Sequence, residues 1–194
     1  MHDQQQQSRE PVKEGRETIA AGIFICQAFS MPVRVWWTKF GTAGEMFFGG
    51  RACVLGWLAI PVWACIFPRY DSRPMFAFWG LTTLFLLIHR FRHWRLKANG
   101  YRPHSCFAGL SRLHRFGNNF ARQVLEPLLT GIVGVLCLQW NQPLGMYLVW
   151  SGMAMVVSTS YGYAAQYSVL RRLRDARREQ EWLAEKLQEE EQEV

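Results

Sequence analysis

The chain has 194 residues, 49% of them hydrophobic and 14% aromatic, with nine Trp and a formal charge of +7. Its apolar residues gather in long runs and its charges in the tails and one loop, a block pattern that excludes an ordinary soluble globule and predicts an all-α integral membrane protein. The five Cys (Cys26, Cys53, Cys65, Cys106, Cys137) are scattered with no Cys-x-x-Cys pair, which argues against a disulfide framework.

Residues 1–17 mix Gln with both charge signs and read as a disordered polar N-terminus, with no cleavable signal peptide. In residues 18–46, the apolar run Ile19–Phe29 has 11 residues, short of the roughly 20 that span a bilayer. Pro32 predicts a helix end near Ser30. Trp36 and Trp37, flanked by Arg34 and Lys39, suit the headgroup zone. This region is therefore expected to form interfacial, amphipathic helices on the cytoplasmic surface, with a helix tucked against the bundle as the alternative.

A transmembrane domain, 47–170, follows. Its expected spans, about 47–67, 75–94, 124–140 and 144–170, make a four-helix bundle. A proline-bounded turn, Pro68–Pro74, joins the first two, and Asn141-Gln142-Pro143 joins the last two. Trp36, Trp37, Tyr70, Trp94, Trp140 and Tyr147 lie near the ends of the runs and resemble an aromatic belt.

Between the second and third spans lies a basic loop, 89–123, with eight Lys/Arg, four His and no Asp or Glu. Five more Arg follow the fourth span (Arg171, Arg172, Arg174, Arg177, Arg178). The positive-inside rule then puts this loop and both tails in the cytoplasm, giving a multi-pass protein of the bacterial inner membrane. Ser105–Phe116 is expected to form a short amphipathic helix on the inner leaflet. Arg90, Arg92, Arg95, Lys97, Arg112 and Arg115 would then meet anionic headgroups or a protein partner. The loop's interleaved aromatics also suit single-stranded nucleic acid, but no nucleic-acid-binding motif is present and topology alone accounts for the charge.

His89, His93, His104, Cys106 and His114 place five potential ligands within 26 residues. Zinc takes four such ligands, and imidazole also suits iron. His89-Arg-Phe-Arg-His93 resembles the first box of membrane di-iron hydroxylases and desaturases. Those enzymes need further His-x-x-His-His boxes, and no adjacent His pair exists here, so no family assignment follows. The plainer expectation is interfacial His side chains and no cofactor.

Arg51 and Glu126 lie just inside spans that start on the same side, and desolvated charges seek partners, so an intramembrane ion pair between them is expected. Small residues predict close helix packing at Ala52 and Gly56 in the first span and at Ala154, Ser158 and Gly162 in the fourth.

Residues 171–194 read as a charged helix continuing the fourth span. Leu173, Ala176, Gln180, Leu183 and Leu187 make a short coiled-coil seam. The five Arg are followed by seven Glu against Lys186, and that acidic end opposes the helix dipole unless a cationic partner covers it. The basic loop of the same or a neighbouring subunit is one such partner, and self-association is a further option.

No catalytic triad, Walker, Rossmann or HExxH pattern occurs. The expected function is a non-enzymatic anchor or assembly subunit of a larger envelope complex. The alternatives are a small channel or transporter subunit using Arg51, Glu126 and Ser158–Ser160, and a His-ligated, metal-dependent membrane enzyme.

Overall fold

The first helix runs through the proline predicted to stop it. The computed structural model describes residues 10–43, 50–100 and 109–192. Among them α1 covers Glu10–Trp37, α2 Arg51–Ile66, α3 Arg73–Ala98, α4 Asn118–Leu138 and α5 Gln142–Gln192. Glu17–Trp37, Arg73–Ala98 and Asn118–Leu138 are long and apolar enough to cross a membrane, while Arg51–Ile66 is apolar but shorter. The fold is all-α. Residues 1–9 and 44–49, which include the start of the expected first span, lie outside the described residues.

Pro32 is tolerated because a neighbouring helix meets the group it orphans. Proline has no N–H, so the carbonyl four residues earlier, Ala28 O, loses its helical donor. Gly56 of α2 packs there: a Cβ on Gly56 would collide with Ala28 O and come 2.9 Å from Pro32 Cδ. The hydrogen that glycine carries in place of a Cβ therefore points at the orphaned oxygen, a weak Cα–H donor in a dry contact.

α1 packs against the other helices through its C-terminal half, as in the alternative expected for this region. Ala28, Ser30, Pro32, Val33 and Val35 are buried. Trp36 Nε1 donates to Thr82 Oγ1 of α3 at 3.1 Å, and its ring stacks on Phe78 and Phe85. Trp37 Nε1 donates to Thr130 Oγ1 of α4 at 2.9 Å. Phe29 packs on Tyr147 of α5, and one helical turn later Arg34 reaches Ser158. These contacts make α1 parallel to α3 and α5, with α2 and α4 antiparallel to them. The apolar core joins Val33, Ile60, Ala64, Met75, Tyr147, Leu148 and Met155.

The aromatic belt is only partly one. Trp94 and Trp140 are exposed, as is Tyr70. Trp36 and Trp37 instead tie helices together, as do Trp57 Nε1 to Thr83 Oγ1 at 2.7 Å and Trp63 Nε1 to Pro143 O at 3.1 Å. Tyr147 is fully buried. At the far end, Asn141 Nδ2 donates to Asp71 O at 2.8 Å, and its Oδ1 caps α5 by accepting from Leu144 N at 3.0 Å. The two turns at that end are thus clasped together.

The described part of the loop between α3 and α4, residues 109–116, does not continue the amphipathic helix expected over Ser105–Phe116. Residues 109–112 fold back on the end of α1: Lys39 N donates to Leu110 O and Arg112 N to Trp37 O, both at 2.8 Å, around a Thr38–Ser111 bridge. Gly109 turns the chain with φ +92, where a Cβ would meet Thr38 Cγ2 at 2.7 Å. Only His114–Phe116 is helical, as one 3-10 turn closed at Gly117. Backbone groups freed at the end of α1 find partners in the loop, which outweighs the amphipathic pattern.

The chain divides into two compact units, Met1–Thr159 and Ser160–Val194. The second, taken by itself, is helical to Gln192. Arg177 Nε pairs with Glu181 Oε1 at 2.9 Å, and the Lys186 ammonium lies 4.8 Å from the Trp182 ring centre.

Candidate functional site

The polar residues that the sequence places in apolar surroundings converge at one end of the bundle. Arg34 is carried there by α1. Its Nη2 donates to Ser158 Oγ at 2.8 Å and Met155 O at 3.3 Å, and to Thr159 Oγ1. Ser158 Oγ in turn donates to Ala154 O at 2.7 Å, with Ser30 Oγ 3.4 Å away. One guanidinium thus holds α1 against α5 through bonds that lipid could not replace.

Glu126 of α4 is the acidic member of this cluster. It is 5% exposed. Its charged neighbours are Arg122 and Arg34, and Ser111 of the folded-back loop hydrogen-bonds its carboxylate. Oε1 has no hydrogen-bond partner. Its backbone oxygen accepts from Thr130 Oγ1 at 2.7 Å, the hydroxyl that also receives Trp37. Arg122 Nη2 holds Gly109 O at 2.8 Å, and Ser111 N donates to Asn118 Oδ1 at 3.0 Å. α4 widens to a π-turn over Ala121–Leu125, immediately before Glu126. Such a turn shifts every later residue around the helix axis, here setting the direction in which Glu126 leaves it.

Arg51, the expected partner of Glu126, is exposed at the start of α2. The cations beside Glu126 are Arg122 of its own helix and Arg34 of α1. The sequence signal was present, an Arg within Met31-Pro-Val-Arg-Val-Trp-Trp37, but reading Pro32 as a helix end moved it to the headgroup zone. Of the small residues, Gly56, Ala154 and Ser158 are buried, and Ala52 is half-buried. Gly56 packs on α1, and Ser158 lies beside Ser30 of that helix. Gly162 has open space where a Cβ would be. α4 and α5 approach closely at Gly134, Gly145 and Gly152: Cβ atoms there would come 2.8 Å from Val149 N, 2.5 Å from Leu138 N and 3.1 Å from Pro127 O.

The expected metal ligands do not assemble among the described residues, where no group of three His, Cys, Asp or Glu is placed to hold an ion. His104 and Cys106 lie outside the described residues. His89 is buried with Nε2 3.2 Å from Val35 O. A carbonyl only accepts, so Nε2 carries the proton and serves another backbone group at the end of α1. His114 Nδ1 lies 3.1 Å from Ser111 O in the same way. Arg112 covers the Phe40 ring at 4.5 Å and Phe85 at 5.5 Å. Arg90, Arg92, Arg95, Lys97 and Arg115 are exposed.

Between α4 and α5 runs a groove of about 600 Å³ lined by Val124, Leu128, Ile132, Val135, Met153 and Val156 among others. It presents no charged side chain and no nucleophile, so its chemistry is that of a hydrocarbon surface. No protein-family model, curated protein or solved structure matches this chain.

Proposed function

We propose that this protein is a non-enzymatic, multi-pass subunit of the bacterial inner membrane that anchors or assembles a larger envelope complex of the secretion, conjugation or envelope-biogenesis kind. One observation carries the reading. The buried Ser158 and Thr130 and the half-buried Arg34, Trp36 and Trp37 are engaged in bonds between helices, while Arg90, Phe91, Trp94 and Arg95 stand exposed on the last turns of α3. A molecule built in this way spends its polar chemistry on holding its shape and offers a cationic, aromatic rim to lipid headgroups and protein neighbours. Extraction in mild detergent followed by identification of copurifying proteins tests it. A defined complex supports the anchor role, and a lone protein overturns it.

The parallel course of α1, α3 and α5 implies a topology. With the basic loop and the tail in the cytoplasm, α3 and α5 both run inward, and α1 runs with them. Crossing the bilayer along Glu17–Trp37, α1 would leave the N-terminus on the outer face, opposite the C-terminus.

The buried Glu126 favours a second reading, a small channel or transporter subunit with Glu126 beside the path. Ion flux in reconstituted vesicles that disappears in Glu126→Gln would establish it. The metal-enzyme alternative is decided by metal analysis: stoichiometric zinc or iron lost with His89→Ala and His93→Ala would replace the anchor reading.

A further inference from the structure

The tail helix carries a short apolar stripe. In the unit Ser160–Val194, taken by itself, Leu173 and Leu183 share one face with Ala176 and Gln180 and are 62% and 49% exposed. A water-exposed helix draws most of its stability from packing an apolar face, so this stripe calls for a covering surface. Its charge pattern says which. Arg171–Arg178 carry five Arg and one Asp, and Glu179–Glu193 carry seven Glu and one Lys. We infer that the seam of the tail pairs with the tail of a second copy, antiparallel, so that the basic half of each lies on the acidic half of the other.

The register follows from the seam. With Leu173, Gln180 and Leu187 at a positions and Ala176 and Leu183 at d positions, an antiparallel pair sets Gln180 against the partner's Leu183. Glu179 comes beside the partner's Lys186, and the symmetry of the dimer repeats each contact. A parallel pair instead sets Arg172 beside the partner's Arg177 and stacks acid on acid toward the C-terminus, which like-charge repulsion disfavours. From Arg171 to Gln192 the helix measures about 32 Å, enough for each acidic end to reach the basic half of a neighbouring subunit's tail. Two copies in one membrane reach this arrangement when their tails turn along its surface. The hydroxyl run Ser158–Ser160 and Gly162 form the softest stretch of α5, since Ser158 bonds back to its own helix and such bonds favour bending. The envelope-complex reading is not required: a dimer can form with or without further partners.

The test uses the full chain in nanodiscs or mild detergent, mixing isotopically heavy and light copies, with a photoreactive benzoylphenylalanine in place of Leu173. Crosslinked peptides are mapped by mass spectrometry. The expected result is heavy–light crosslinks from position 173 to residues 186–193. Crosslinks from 173 to residues 170–177 of the other copy would mean parallel pairing and overturn the inference. So would crosslinks to the basic loop 89–123, or no crosslink between copies. A charge exchange supplies the second arm. Glu179→Lys should lower the dimer fraction, weakening association about fivefold through two symmetric contacts, and adding Lys186→Glu should restore it. If the double exchange is no better than the single, the register is wrong.

Discussion

Arg34 is the residue on which the polar junction depends. Its guanidinium joins α1 to α5, and it is one of two cations acting on a carboxylate with one oxygen unsatisfied. Removing one of those two cations leaves the buried carboxylate with Arg122 alone and takes away the bonds to α5, at a cost of about 2 kcal/mol. Arg34→Met should therefore lower the thermal stability of the detergent-solubilised protein by that order. Glu126→Gln in the same chain should recover part of the loss, because the neutral amide needs no cation. Arg51→Gln, at an exposed position, should change stability by less than about 1 kcal/mol. Equal losses from the Arg34 and Arg51 variants would show that the cluster does not hold the bundle. The Pro32–Gly56 contact yields a second contrast at this scale. Gly56→Val drives a side chain into Ala28 O and should cost about 3 kcal/mol. Pro32→Ala restores a helical N–H for the same oxygen and should leave the fold intact, both read from melting curves and circular dichroism.

At the scale of elements, the helical segments in α2, α3, α4 and the first half of α5 were legible because each carries an apolar run bounded by charge, proline or a polar turn. Fold class followed from those runs alone. α1 was not legible, for a definite reason. Its apolar run looks 11 residues long only if Pro32 and Arg34 end it. Whether a proline ends a helix depends on whether a neighbour meets its orphaned carbonyl, and that neighbour, Gly56, lies 24 residues on. The half-buried Arg34 is the same case, since its partners Ser158 and Thr159 come from the far end of the chain. Glu126 was recognisable as a charge in an apolar run, but its neighbours are Arg122, one turn back on its own helix, and Arg34 from α1. The short helix expected at 105–116 gave way to backbone demand at the end of α1. α1 as a crossing helix makes a sharp prediction. A tag at residue 1 should be cut by protease added outside spheroplasts, while a tag at residue 194 is cut only after lysis. Protection of both tags would return α1 to the cytoplasmic surface.

For the whole molecule, the distribution of charge matters more than any single site. The described cations on one rim, Arg90, Arg92, Arg95, Lys97, Arg112 and Arg115, stand beside exposed Phe91, Trp94 and Phe116. Aromatic rings settle at headgroup depth and arginines draw anionic lipids, each worth about 1 kcal/mol near such a surface and screened by salt. The short turn at the opposite end carries Arg69 and Arg73. Stability should therefore depend on lipid charge in a way that one face controls. The melting temperature in phosphatidylglycerol-rich nanodiscs should exceed that in purely zwitterionic ones, and the difference should shrink as salt is raised. Replacing Arg90, Arg92, Arg95 and Arg115 together with Gln should abolish most of the difference, whereas Arg69→Gln with Arg73→Gln should leave it. Arg112 stays in both variants because it stacks on Phe40 and Phe85, so its loss would disturb packing as well as charge. If both sets flatten the response equally, the rim is not the lipid-binding face. Its arginines would then be left for a protein partner, a conclusion that the copurification experiment would have to support independently.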